Sequence, residues 1–383
     1  MKQRSEIALK YLPILKAKPG ELKALAKSKT SISAKILPLF DIGRLSERTK
    51  QAKRFSETSA VICAYLDEIA ESIAEVRKGS SALVDAYQWP PNSATESGEH
   101  VIPYIYGRLT SLGVKAIPVV GYDRWDSAEY RAAMMQLELS PKDYYCLRLD
   151  SHAIEDAAEP EFFEEQLTKI LDDLQIEPSR CVVLLDFGDI SHASIEDVLE
   201  QGAQIVEQLD SFGFRRIATA GCSLPPTIDG AVKKANSTGK VLRKEMLLWQ
   251  MLRTQYPHIN WLFGDYGVRS PNTGEDVISP HTNGKIRHTI DKHFFIVRGH
   301  SVQIGAKGGQ MYDLAKKLVE SPHYLNPEFS WGDSQIFQCS LGQGTPGNST
   351  TWIAIDTSHH IAYSVAEVME FEKSVTAASS ETI

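Results

Sequence analysis

Short apolar runs that close on a polar or charged residue recur along this chain, and no other feature restricts its fold as strongly. In order they occupy residues 11–16, 36–41, 82–85, 116–122, 144–148, 181–186, 217–221 and 261–265. They are rich in Val, Ile, Leu and Tyr and apolar on both faces, as parallel strands covered from both sides are. Helical segments separate most pairs. Residues 60–77 place Val61, Ala64, Tyr65, Ile69, Ile73 and Val76 at three- and four-residue steps, and residues 194–212 repeat the pattern with Ile195, Val198, Leu199, Ile205, Val206 and Leu209. Neighbouring parallel strands need a crossover of about a dozen residues, and these gaps supply it. The pattern predicts an α/β fold, a (β/α)8 TIM-like barrel, with the C-terminal strand ends ringing one site.

The rival architecture is a doubly wound open sheet, which binds nucleotides through a glycine-rich first turn. Here the first run is followed by Lys18-Pro-Gly-Glu, with neither GxGxxG nor GxxxxGK[ST]. A barrel of ordinary size uses roughly 250 residues, so the 383-residue chain divides into a barrel over 1–270 and an extension over 271–383. That extension is expected to be α+β and packed on the barrel. It begins with a long Gly-, Pro-, Asn- and Ser-rich loop over 266–285. A strand follows at 293–298, then one helix at 309–320, strand-like runs at 351–355 and 361–365, and a frayed tail from Ala377.

The formal net charge of −8 and pI of about 5.8 speak against a generally basic nucleic-acid binder. No apolar run approaches the ~20 residues of a membrane helix, and the N-terminus lacks the apolar core of a signal peptide. Five scattered cysteines (Cys63, Cys146, Cys181, Cys222 and Cys339) form no CxxC pair. They read as reduced thiols of a cytoplasmic protein.

The residues with chemical potential sit mostly at strand ends. Asp41, Asp85, Asp150, Asp186 and Asp265 are carboxylates able to hold Mg²⁺ or to divide into acid and base roles. Each is also a natural cap for the turn that follows. Lys16, Lys18 and Arg148 supply counter-charge. In Gly264-Asp265-Tyr266-Gly267 the glycines permit a tight turn or close approach of a ligand, with Arg269 near enough to help. His359 and His360, read as part of a strand, point to opposite faces, so at most one serves a given site. Neither they nor Arg298-Gly-His300 has the spacing of a zinc site. Ser330-Trp331-Gly-Asp333 reads as a loop anchor. Cys222 has nothing local to lower its pKa, and no GxSxG elbow is present.

Residues 11–25 with Ile36-Leu-Pro-Leu-Phe-Asp41, Phe263-Gly-Asp-Tyr-Gly267, Phe329-Ser-Trp-Gly-Asp333, Trp352 and His359-His360-Ile361 together resemble the bacterial and phage Beta protein family over nearly the whole chain. The resemblance implies a role in phage–host conflict, as an antitoxin or sensor. The family's name comes from a satellite-phage protein that counters a toxic neighbour in its operon. No catalytic residue carries over from it.

Two functions follow from these readings. In the first, the chain is a binding module that meets a partner protein from the same operon, or a phage component, through the C-terminal face of the barrel. It needs no cofactor, and Arg148, Tyr266, Arg269, His359 and His360 contact the ligand. In the second, it is a metal-assisted phosphoester hydrolase with Asp85, Asp186 and Asp265 around Mg²⁺ and Lys16 on the substrate anion. Strand-end acids within metal-bridging distance of one another in a wide pocket favour the hydrolase. Acids paired off with Lys16, Lys18 and Arg148 under a filled mouth favour the binding module.

Overall fold

The computed structural model describes residues 9–137, 144–272, 282–304 and 308–381. Its strands are β1 (Tyr11–Leu15), β2 (Leu39–Asp41), β3 (Ser81–Asp85), β4 (Lys115–Gly121), β5 (Tyr145–Leu149), β6 (Cys181–Asp189), β7 (Arg216–Cys222), β8 (Ser237–Leu242), β9 (Asn260–Asp265), β10 (Asn283–Ile290) and β11 (His293–Ser301). Eight of them close a parallel barrel in the order β1-β2-β3-β4-β5-β6-β7-β9, with Tyr11 of β1 in register with Phe263 of β9. All eight expected runs are barrel strands.

Alternation along the strands sorts the barrel into two layers. Leu12, Ile14, Leu39, Leu83, Cys146, Leu184 and Leu262 form one buried cluster, the filling of the barrel. Tyr11, Phe40, Val84, Leu147, Leu185 and Phe263 belong to another, shared with helix residues such as Ile73, Leu109, Leu167 and Leu209. Each such aliphatic side chain contributes roughly 1.5–3 kcal/mol through burial. The helices begin where their sequences direct. Pro160 opens helix Pro160–Leu174 at its first position, and the Ser194 side chain caps Ile195–Ser211 by accepting from the Asp197 amide.

The strand β8, inserted between β7 and β9, leaves the barrel and pairs antiparallel with β11, giving a three-stranded sheet in the order β10-β11-β8. One face of this sheet (Ile286, Phe295, Val297) packs on Met311, Leu318 and Ile336. The other (Phe294, Ile296) packs with Leu224, Val232 and Val268 from the segments that leave β7 and β9.

The extension differs from expectation in its helices. Among the described residues it contains three, Gln310–Val319, Trp331–Ser340 and Ser349–Glu381, where the sequence reading placed one. The runs at 351–355 and 361–365 are not strands; both lie in the last helix, which extends to Glu381, within the tail expected to fray. Val, Ile, Thr and Tyr in these runs favour strands locally. Tertiary packing overrides that preference, because Ile361, Val365 and Val368, at helical spacing, lie in the outer barrel layer.

This helix fills the gap in the helical ring between β9 and β1. Trp249 meets Phe371 edge-on, Lys10 pairs with Glu372 at 2.6 Å, and Arg243 pairs with Glu367 at 2.5 Å. A boundary at residue 270 therefore separates the barrel from a helix that completes it. Part of the expected long loop, residues 273–281, lies outside the described residues, as do 382 and 383 of the tail. Among the described residues no helix is long and apolar enough to cross a membrane.

Candidate functional site at the barrel mouth

Asp41, Asp85, Arg148 and Asp186 each stand two residues beyond a side chain of the barrel filling (Leu39, Leu83, Cys146 and Leu184). The period of two therefore turns all four into the mouth. Arg148, 1% exposed, is the centre. Its Nη1 donates to Asp41 Oδ1 at 2.7 Å and to Asp85 Oδ2 at 2.9 Å. Its Nη2 and Nε donate to Asp186 Oδ2 at 2.6 and 2.9 Å. The Tyr266 hydroxyl donates to Asp186 at 2.6 Å, and the Tyr87 ring lies 4.4 Å from the guanidinium carbon. Arg124 grips Asp85 with two bonds, at 2.6 and 3.1 Å, the bidentate geometry suited to a planar guanidinium.

The carboxyls respond differently to burial. Desolvation pushes Asp41 up to about 6 against the pull of Arg148. Desolvation also raises Asp85, but Arg124 and Arg148 together outweigh it and hold that carboxyl below its ordinary value. Burial, then Asp186, holds the Tyr266 phenol well above its ordinary value, so it remains a donor.

The sign for Asp41 follows. The folded state holds this proton more tightly than the unfolded chain, whose carboxyl titrates near 3.8. Stability through this group falls as pH rises between about 4 and about 6. An Asp41→Asn variant, which keeps the acceptor oxygen, is expected to exceed the parent by about 1–2 kcal/mol at pH 8. The gain disappears toward pH 4; urea unfolding at the two pH values checks it.

Above this layer lies a cavity of about 360 Å³, lined by Lys16, Tyr87, Gln88, Asp150, Ser151, Asp189, Tyr266 and Asn272 together with the exposed edges of Asp41, Arg148 and Asp186. The register of β6 against β7 is irregular between Asp186 and Asp189, and that irregularity carries Phe187–Asp189 over the opening. Asp150 caps the helix Ser151–Asp156, accepting from the His152 amide at 3.2 Å. Lys16 Nζ donates to the Pro271 carbonyl at 3.4 Å.

Of the residues nominated from sequence, the mouth collects Lys16, Asp41, Asp85, Arg148, Asp150, Asp186 and Tyr266. Asp265, Arg269, His359 and His360 do not converge there. Asp265 follows Phe263, an outward-facing residue, by two positions, so its side chain leaves the barrel. It accepts from Tyr11 Oη at 2.5 Å, the Gly267 amide at 2.9 Å and His360 Nε2 at 2.8 Å, with Arg243 Nη2 at 3.6 Å. Burial lowers the His360 pKa. The neutral ring donates to Asp265 and accepts from the Thr289 hydroxyl at 2.7 Å.

In the same motif Gly264 is needed for space. A Cβ there would lie 2.9 Å from the Thr219 carbonyl oxygen. Gly267, at φ +60°, supplies the turn. Lys18 precedes helix Pro19–Ala26 as its N-terminal flanking residue.

His359 belongs to a helix, not a strand, so it lies about 100° from His360 rather than opposite it. Its ring bridges Asp333 Oδ2 at 2.9 Å and the Thr289 carbonyl at 2.8 Å. The Ser330-to-Asp333 motif is a helix start, with Ser330 Oγ accepting from the Asp333 amide.

Among the described residues, His288, Asp333 and His359 form the one group whose ligand atoms converge as a metal would require. Their rings do not fit joint ligation. Two imidazoles bound at Zn–N distances of ~2.0–2.1 Å hold their centroids about 5 Å apart, whereas these stack at 3.6 Å and 17°.

At the mouth, the Arg148 guanidinium occupies the space among the carboxylates that a divalent ion would need, so Mg²⁺ does not fit there either. Burial pushes the Cys222 thiol well above its ordinary value, which disposes of a nucleophile.

Comparison with known families adds the decisive observation: the Beta protein family matches residues 11–366. The chain belongs to the Beta protein family. No curated protein matches the chain. The family's span takes in β1, which opens the mouth, and His360 on the helix that closes the ring, so the match covers the site and its supporting shell together.

Sequence reasoning missed Arg124, Tyr87 and the Phe187–Asp189 turn. Arg124 was within reach. It follows the run at 116–122 by two residues, a strand-end cation like Arg148.

Proposed function

We propose that this member of the Beta protein family is a cytoplasmic binding module in phage–host conflict, acting as an antitoxin or sensor through the barrel mouth. The observation that carries this reading is the commitment of the strand-end acids. Asp41, Asp85 and Asp186 are engaged by Arg148 and Arg124 at 2.6–3.1 Å, which leaves neither a metal cradle nor a free general base. Above them lies a polar cavity with Asp150 and Asp189 on its wall.

An opening of this kind suits a basic side chain offered by a partner protein, held by charge-assisted hydrogen bonds. The five free cysteines agree with a reducing compartment. The phosphoester-hydrolase reading loses support for the same reason that the binding reading gains it.

The test fills the cavity without touching the salt cluster. Ser151 is exposed, lines the opening and makes no side-chain hydrogen bond among the described residues. In cells challenged with phage, Ser151→Trp is expected to lose protection by about tenfold or more in plaque count, with an unchanged melting temperature. Full protection by this variant, or none from the parent, contradicts the proposal.

A further inference from the structure

A second cavity, of about 330 Å³, lies between the loop after β9, strand β10 and the start of the C-terminal helix. Arg269, Lys285 and Arg287 line it. Arg287 is satisfied, since its amide and Nη1 donate to Asp356 Oδ2 at 3.1 and 3.3 Å. Arg269 and Lys285 have no hydrogen-bond or ion-pair partner for their side chains among the described residues. The acid nearest Arg269 in electrostatic terms, Glu21, gives its carboxylate to the backbone amides of Lys16 and Lys18. Among the described residues, these three cations outnumber the two carboxylates that act on them, Asp356 and Glu21, and leave the cavity with an excess of positive charge.

The wall opposite adds backbone donors. Asn348 caps the helix Ser349–Glu381, accepting from the Thr351 amide at 3.0 Å. The amides of Ser349 and Thr350 precede the first intrahelical bond and stay available at the positive end of the helix dipole. Asn348 and Ser349 both line the cavity, and Met311, Val302 and Ile353 give it an apolar side. Burial, with Arg287 and Arg269 nearby, pushes Lys285 down to about 8, the response of an ammonium group short of a counter-ion.

We propose that this cavity is a binding site for a small phosphate-bearing molecule. The phosphate meets Arg269, Lys285 and the helix start, and the rest of the molecule lies against Met311, Val302 and Ile353. Its volume is in the range of small-ligand sites, and cations facing free helix amides form the usual receptor for such an anion. Arg269, nominated from sequence as a ligand contact near the mouth, belongs to this cavity instead. The site is separate from the mouth and independent of the function proposed there.

Isothermal titration calorimetry on the full chain tests it, with inorganic phosphate, AMP and adenosine as probes. The parent is expected to bind AMP saturably, phosphate more weakly and adenosine at least about tenfold more weakly than AMP. Arg269→Gln and Lys285→Gln each leave the cavity its shape and are expected to weaken AMP about tenfold, with melting temperatures unchanged. The mouth-filling Ser151→Trp variant is expected to bind AMP as the parent does. Absence of saturable AMP and phosphate binding by the parent overturns the proposal. So does adenosine binding as tight as AMP, unaltered affinity in both glutamine variants, or loss of AMP binding in Ser151→Trp.

Discussion

Replacing Arg148 with Met is expected to cost about 4 kcal/mol of folding stability at pH 8, a large share of the total stability of a domain. The guanidinium is 1% exposed and donates to three carboxylates. Its loss leaves Asp41 and Asp186 buried without a cation, while Asp85 retains Arg124. An unpaired buried carboxylate neutralises itself by taking a proton, so its folded pKa rises above the unfolded value. Stability contributed that way is present at low pH and lost as pH rises. The deficit of the Met variant relative to the parent should accordingly shrink from pH 8 to pH 5. Arg148→Lys is expected to fall between, because a point charge cannot reproduce bonds from three nitrogens of one plane. Urea unfolding of the three proteins at both pH values checks the set. A Met variant as stable as the parent at pH 8 would falsify the assignment of Arg148 as the hub.

Asp265→Ala is expected to cost about 3–4 kcal/mol by another route. Asp265 is where β1, β9 and the C-terminal helix are joined. Its carboxylate takes hydrogen bonds from Tyr11, Gly267 and His360; in the variant the Gly267 amide is orphaned, and Tyr11 Oη and His360 Nε2, 3.1 Å apart, lose their shared acceptor. Burial pushes the Asp265 carboxyl up, but His360, Arg243 and Tyr11 outweigh it, so the parent holds a carboxylate there. Because the side chain leaves the barrel, the mouth is untouched. The expected result is a lower melting temperature, with the C-terminal helix exchanging its amide hydrogens earlier than the strands. Unaltered stability would show that the Asp265 hydrogen bonds are weak and that His360, Arg243 and Glu367 hold the helix without them.

How far the sequence could be read depended on which force decided each element. The eight barrel strands were legible because their apolar runs answer to burial on both faces, a signal carried by consecutive residues. Five mouth residues, Lys16, Asp41, Asp85, Arg148 and Asp186, were legible for the same reason, since each closes a run. Asp265 also closes a run, yet it faces outward. Its parity with Phe263 rather than with Leu262 was the clue, and a strand-end acid has either orientation at equal local cost.

The last helix was misread because its β-branched residues mimic strands. What makes it helical is contact with β9 and β1, more than 90 and 340 residues away along the chain. Arg124 escaped notice because nothing local links it to Asp85; their separation of 39 residues is bridged only when β3 and β4 pair.

Hydrogen exchange of the full chain, with and without the protein encoded beside it, tests most directly whether the mouth is a recognition surface. Slowed exchange is expected only in the segments that rim the cavity, around Lys16, Gln88, Ser151, Gly188 and Asn272, with no slowing in Ser151→Trp. Slowed exchange at the opposite end of the barrel, or at the mouth in the parent and the tryptophan variant alike, would contradict that role.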